Sequence, residues 1–296
     1  MLDFRDIEIS DKNKINDCLA KSDFMGCEYS FANNMAWKRL SDSKISFYKS
    51  FYISCAFSTD DDIPTFTFPS GQGDLIDVIH EMKKYSESMN KPLRICGVTD
   101  KLLSFFSENF SNQFTVQFDR DGSDYIYNSS DLINLSGKKY HNKRNHLARF
   151  SEINYNFSLI DDNDFDDCIS FSTLTYNSKT SENSQSFIAE QYAINTYFSF
   201  FHELNLCGGI IRIDGKPAAV TIGEKINSDT FCVHIEKADI NFPGIYTGIN
   251  NLFVRHSATD CKYVNREEDL GIEGLRKSKL SYYPAFILNK HIITFK

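Results

Sequence analysis

The chain has 296 residues, 41% of them hydrophobic and 24% charged, with a formal net charge of −8. That is an ordinary globular composition with room for one large domain or two average ones, and its acidity excludes indiscriminate nucleic-acid coating, which needs concentrated positive charge. The longest apolar runs, such as 50–57, fall far short of the ~20 residues of a membrane span, and the opening MLDFRDIEIS lacks the basic-then-apolar order of a signal peptide.

In the first half, 11–21 has helical spacing, with Ile15, Cys18 and Leu19 on one face. Residues 45–59 and 63–68 are rich in Phe, Ile and Tyr and read as strands. A turn at 69–73 leads to a helix at 74–90, whose apolar stripe is Leu75, Val78, Ile79 and Met82. A buried strand at 93–98, a helix at 100–109 and a strand at 114–118 follow. The second half repeats this order loosely: a strand at 153–160, helices at 164–176 and 186–204, and a hairpin of 206–213 with 217–226 around Asp214-Gly215, a strong turn dipeptide. A strand at 229–237, a helix at 245–256 and a short strand at 261–264 complete the pattern. FPSGQGDLIDVI (68–79) and FPGIYTGINNLF (242–253) echo each other, as two copies of one α/β unit would. The turn at Gly244, Tyr246 and Thr247 presents N–H groups at a helix start, where a phosphate or carbonyl oxygen binds; for the first copy a plain strand-to-helix turn suffices.

Between the halves lies GKKYHNKRNHLARF (137–150), with five Lys/Arg, two His and no acid. At 100° per residue, Lys138, Lys139, Asn142, Lys143, His146 and Arg149 share one face, with Tyr140 and Leu147 opposite. With Arg144, these lysines are candidates for phosphate contact. On the strand at 229–237, Phe231, Val233 and Ile235 alternate with Cys232, His234 and Glu236, so His234 and Glu236 are expected on one face. Glu236, nearer the turn, is the better general base, and Tyr246 could donate a proton to a leaving group. The eight cysteines are scattered singly, with no CxxC and no His at metal-ligand spacing, so reduced thiols in a cytoplasmic protein and no metal are expected. DDNDFDD (161–167) fails as a calcium loop, because Asp167 and Thr173 stand where glycine and glutamate are required.

NREEDLGIEGLRKSKLSYYPAF (265–286) packs four acids and four bases into fourteen residues. Gly271 and Gly274 suggest close backbone approach or tight turning, since glycine costs roughly 1 kcal/mol inside a helix. Arg276, Lys277 and Lys279 offer charge for a phosphate or a developing oxyanion.

The segments GKKYHNKRN (137–145) and NREEDLGIEGLRKSKLSYYP (265–284) carry a resemblance that spans nearly the whole chain. The chain resembles the soluble proteins related to the C-terminal domain of phosphatidylglycerol lysyltransferases, tandem GNAT-fold relatives of the Fem aminoacyltransferases. The resemblance implies an α/β (α+β) fold of two tandem GNAT-like units, each a mixed, mostly antiparallel sheet flanked by helices. The expected divisions are 1–133, a basic connecting helix at 134–150, and 151–296 carrying the site. It also implies aminoacyl transfer from charged tRNA as cosubstrate, without a tightly bound cofactor, to a lipid, peptide or small-molecule acceptor. Lys279 matches the family's lysine near the reacting ester, with Arg276 beside it and Glu236 near the acceptor. Asn265, Arg266, Glu267, Asp269 and Tyr282 are supporting residues, with the acids 267–269 orienting the bases. Lys138, Lys139, Lys143, Arg144, Gly244, Tyr246 and Thr247 would hold the donor. The alternatives are an acetyl-CoA-dependent N-acyltransferase, although the CoA signature is not clean, and a non-catalytic module binding RNA or anionic lipid, peripheral to the inner membrane face.

Overall fold

The apolar stripe Val78, Ile79 and Met82 is fully buried, and it anchors the first of two units. A computed structural model describes residues 2–177 and 185–296, without the side chains of 175–177 and 185–187. In chain order the elements are α1 (Lys12–Ser22), α2 (Phe31–Trp37), β1 (Ser43–Tyr48), β2 (Phe51–Ala56), β3 (Thr65–Thr67), β4 (Ser70–Gly71), α3 (Leu75–Ser88), β5 (Arg94–Thr99), α4 (Asp100–Asn109) and β6 (Phe114–Asn128). There follow α5 (Ser129–Asn134), α6 (His141–Ser151), β7 (Tyr155–Leu159), α7 (Phe165–Asn177), α8 (Gln185–Ser199), β8 (Cys207–Ile213), β9 (Lys216–Lys225), β10 (Thr230–Ala238), α9 (Ile245–Ser257), β11 (Tyr263–Asn265), α10 (Glu273–Leu280) and β12 (Phe286–Phe295).

The first unit comprises Met1–Asp124, Glu268–Gly271 and Ile287–Lys296. Its strands run in the order β1-β2-β3-β5-β12-β6, with β4 on β2. The expected strand at 45–59 is a hairpin: Lys49 takes a left-handed φ of 51° and folds β2 back on β1. Strands β3 and β5 are parallel and joined through α3. Phe66, Ile95, Val98, Phe106, Ile293 and Phe295 pack against the α3 stripe. β12 also brings in Lys290, a buried ammonium 2.7 Å from both Asp124 of β6 and Glu28.

The second unit comprises Tyr125–Glu267 and Ile272–Phe286, with strand order β6-β11-β10-β9-β8-β7. β10 and β11 are parallel and joined through α9; the remaining pairs are antiparallel. The two echoing segments therefore fall on equivalent strand–helix–strand crossovers. Phe150 of α6 and Ile245 and Ile249 of α9 pack over Ile211 and Ala219, while α7 lies against β9.

These units are bounded differently from the expected 1–133, 134–150 and 151–296. The basic helix α6 packs on α9 and belongs to the second unit, and the C-terminal strand belongs to the first. The basic segment is not one helix either. Residues 138–140 form a 3-10 turn, and the inward line is the buried Tyr140 and Phe150 with the half-buried Lys143 and Leu147, so Lys143 leaves the exposed basic face. Gly271 has a φ of 72°, and a Cβ there would lie 2.9 Å from the Asp121 carboxylate. Gly274 sits inside α10 with open space around it and does not mark a close approach.

Candidate active site

Tyr282 is buried in the second unit and collects two charged groups, from α6 and from the end of β11, around its ring. Lys143 of α6 lies over it with Nζ 3.4 Å from the centroid, and the Arg266 guanidinium lies 4.6 Å from it. Such faces attract cations through the ring quadrupole. The Tyr282 hydroxyl donates to Thr247 Oγ1 of α9 (3.3 Å), and Tyr140 donates to the Tyr282 carbonyl (3.0 Å).

Arg266 directly follows β11. Its Nη2 donates to Glu236 at the end of β10 (2.7 Å), and the other oxygen of Glu236 accepts from Asn250 of α9 (2.8 Å). Burial opposes the guanidinium's charge, but Glu236, Tyr127 and Tyr282 raise its pKa further above the ordinary value. Its Nη1 is nevertheless buried with no hydrogen-bond partner among the described residues. An orphaned buried donor is costly and points to a missing acceptor. Lys143 has its pKa lowered to about 8, first by burial and then by Arg266, whose effect exceeds the opposing pull of Glu236.

Lys279 of α10 is buried. Its Nζ donates to the Arg266 carbonyl, and its own carbonyl accepts from Tyr127 (2.7 Å). The helix is thereby fastened at both ends of one residue to the strand end that carries Arg266. Arg276 lies one turn earlier on the same helix and is half-buried.

The second unit therefore brings together Lys143, Glu236, Thr247, Arg266, Lys279 and Tyr282. Other candidates lie elsewhere. Lys138 is exposed; Lys139 is exposed beside Asp131 (3.4 Å); and Arg144 donates to the carbonyls of Leu135 and Gly137 (2.6 and 2.7 Å), closing the end of α5. Gly244 has a φ of 79°, and a Cβ there would lie 2.0 Å from the His146 carbonyl, so α6 covers that turn. The amides of Ile245, Thr247 and Gly248 already donate to the carbonyls of Phe242 and Gly244, which leaves this turn a poor pyrophosphate cradle. Tyr246 is half-buried.

The acids 267–269 do not act together on the bases. Asp269 and Glu268 fall in the first unit, where Asp269 is buried against Arg120 (3.3 Å). Glu267 turns to His234 (2.8 Å), and Asn265, fully buried, accepts from the Glu267 amide (2.7 Å). His234 and Glu236 do not share surroundings as strict alternation predicts. The β9–β10 register shifts between Val233 and Ile235, so His234 stacks on Tyr197 of α8 while Glu236 reaches Asn250 of α9. Burial opposes an imidazolium at His234, yet Cys232, Tyr197 and Glu224 together raise its pKa well above the ordinary histidine value.

Tyr127 and Asn250 were not legible as site residues, since nothing in their local sequence marks them. Lys143 and Arg266 were marked by charge, and only tertiary packing distinguishes them from the other bases.

The sequence matches the family model described as phosphatidylglycerol lysyltransferase, C-terminal, over residues 20–293. The chain belongs to this family. A conserved protein of unknown function from Bacteroides thetaiotaomicron VPI-5482 is 33% identical, with the whole of both chains covered and a TM-score of 0.94. L-PGS from Bacillus licheniformis superposes with a TM-score of 0.66 at 15% identity, covering 88% of this chain and 86% of that one. FemX gives 0.66 at 8% identity over 99% and 97% of the two chains. No curated protein matches the sequence. The fold is that of the tandem GNAT and Fem transferases, and family and fold together support an acyltransferase of the phosphatidylglycerol lysyltransferase C-terminal type. Among the described residues no helix is long and apolar enough to cross a membrane.

Proposed function

We propose that this family member transfers an aminoacyl group from the 3′ end of a charged tRNA to an amine or hydroxyl on a lipid, peptide or small molecule. The observation that carries the reading is the buried, unpartnered Nη1 of Arg266. A donor of this kind, fixed by Glu236 and two aromatic faces, suits the carbonyl oxygen of an ester as it becomes an oxyanion. Lys279 holds the Arg266 carbonyl and so positions that donor; the resemblance also puts it near the reacting ester. Lys143, with a pKa of about 8, can take the proton from the attacking amine or hydroxyl near neutral pH. The bond formed joins the acceptor heteroatom to the acyl carbon, the ester C–O bond breaks, and the tRNA ribose oxygen leaves with a proton.

In this reading Arg266 takes the oxyanion role that the sequence suggested for Lys279 with Arg276 and Lys277 beside it. The exposed Lys138 and Lys139 contact donor phosphates, aminoacyl-tRNA is a cosubstrate without a resident cofactor, and an anionic lipid surface is one source of acceptor. Incubating the protein with tRNA charged with radiolabelled amino acids and with lipid, peptide and cell-extract acceptors tests it. Label should move to an acceptor, Arg266→Gln should lose about 10²–10³-fold in rate, and Lys279→Ala should also lose transfer. No transfer to any acceptor and no binding of tRNA would overturn the reading. Binding without transfer, unaffected by Lys279→Ala, would favour a non-catalytic RNA-binding module instead.

A further inference from the structure

Away from Arg266, the second unit holds a cluster that the transfer reaction does not use. Cys232 and His234 of β10 and Glu267 beyond β11 place Sγ, a ring nitrogen and a carboxylate oxygen within 4.8 Å of one another. His234 Nδ1 is 2.8 Å from Glu267 Oε1, and Cys232 Sγ is 3.8 Å from the same oxygen. We infer that Cys232 Sγ, His234 Nδ1 and Glu267 Oε1 form a site for a divalent transition metal of the zinc class, oriented from behind by Glu224.

Donor chemistry favours such an ion. A thiolate, an imidazole and a carboxylate are the three ligand types that zinc takes from proteins, at about 2.3, 2.0 and 2.0–2.2 Å. A tetrahedral centre with those bond lengths separates its ligand atoms by about 3.3–3.6 Å. The sulfur–oxygen pair already fits, and the nitrogen–oxygen pair has to open by roughly half an ångström. The outer shell is built as well: His234 Nε2 lies 3.2 Å from Glu224 Oε1. A carboxylate on the far nitrogen fixes the tautomer that leaves Nδ1 to the metal, the usual arrangement behind a ligating histidine. The ring is also held by stacking on Tyr197, with centroids 5.6 Å apart and planes 12° from parallel.

Backbone conformation adds an independent observation. Glu267 has a φ of 57°, in the left-handed region that non-glycine residues avoid. Its amide donates to Asn265 and its carbonyl accepts from Tyr125, so the strain is held from both sides and directs the carboxylate toward His234. Such conformations cost about 1–3 kcal/mol and persist where surroundings over-determine them, often at binding sites. The His234 side chain is fully buried, whereas those of Glu224 and Glu267 retain 14% and 19% exposure, so an ion would enter between the two carboxylates. On binding, the metal replaces the thiol proton and the Nδ1 proton, both of which pass to solvent.

Co²⁺ titration of the purified full chain under reducing conditions tests the site. One equivalent should bind with a thiolate-to-cobalt charge-transfer band in the near ultraviolet, Zn²⁺ should abolish the band by displacement, and Zn²⁺ should raise the melting temperature. The band should vanish in Cys232→Ala and persist in Cys27→Ala, the control for a second thiol–carboxylate group formed by Cys27, Asp124 and Glu268 in the first unit. Glu224→Gln should keep the band and weaken binding about 10–100-fold, as expected of an outer-shell carboxylate. Absence of the band in the native protein overturns the site, as does a band that survives Cys232→Ala. Circular dichroism of each variant, together with the Cys232→Ser substitution, separates loss of the ligand from loss of the fold.

Discussion

Lys143 shows how little a residue's type says about its role. In the sequence it is one of five bases within 137–150, and helical periodicity puts it on the exposed basic face. The helix begins at His141, seven residues after the expected start at 134, and Lys143 turns onto Tyr282 beside Arg266. The depressed pKa has a defined sign. Free lysine titrates near 10.4, so between about 8 and about 10.4 the unfolded chain holds a proton that the folded protein lacks, and stability rises with pH through that window. Below about pH 8 the buried ammonium is a net cost. Lys143→Met is therefore expected to stabilise the protein at pH 7 by about 1–2 kcal/mol, after discounting for partial exposure, with the gain shrinking as pH approaches 10.4. Urea unfolding at several pH values measures this. The same variant should lose the transfer rate's dependence on a group titrating near 8. Equal stability gains at pH 7 and pH 10 would contradict the argument.

At the level of elements, the regular parts were readable and the breaks in regularity were not. The α4 bounds and the β8–β9 hairpin follow from periodicity and a turn dipeptide, which are local signals. Strand β12 carries no turn signal of its own and is fixed by pairing with β5, far away in sequence. Strand β10 reads as clean alternation, yet the shift between Val233 and Ile235 gives His234 and Glu236 different surroundings. A bulge adds one residue to one strand, and single-sequence patterning cannot locate it. Half of the candidate site was thus visible as charge, while its grouping around Tyr282 was not. The contact of α6 with α9 is closest at Gly244, left-handed and under the His146 carbonyl, with Gly248 against the Phe150 ring. Gly244→Ala should destabilise the protein by about 2–4 kcal/mol, from a strained φ plus backbone displacement. It should also move α6, raising the pKa of Lys143 toward its free value as the ammonium is re-solvated. Chemical denaturation and titration of isotope-labelled lysine read the two effects. Gly274→Ala, in open space within α10, should instead be neutral or stabilising by up to about 1 kcal/mol.

For the molecule as a whole, sequence order and structural order differ. The chain leaves the first unit after Asp124, returns for Glu268–Gly271 and returns again for Ile287–Lys296. That last return supplies β12 between β5 and β6, and with it Lys290, which pairs with Asp124 and Glu28 inside the first unit. Removing one partner from such a buried group costs about 3–5 kcal/mol. Deleting 287–296 is expected to abolish amide-exchange protection in β5 and α4 while leaving protection in β8 and β9. Unchanged protection across β5 would refute the assignment of this strand to the first unit.

This threading has a consequence for biosynthesis. Domains ordinarily fold in the order in which they leave the ribosome. Here the unit begun first lacks its inner strand until residues 286–295 have been made, so Phe106, Ile95 and Val98 wait uncovered while the whole second unit is synthesised. The nascent chain is thus exposed to misassociation not only at its growing end but in a unit begun well before it.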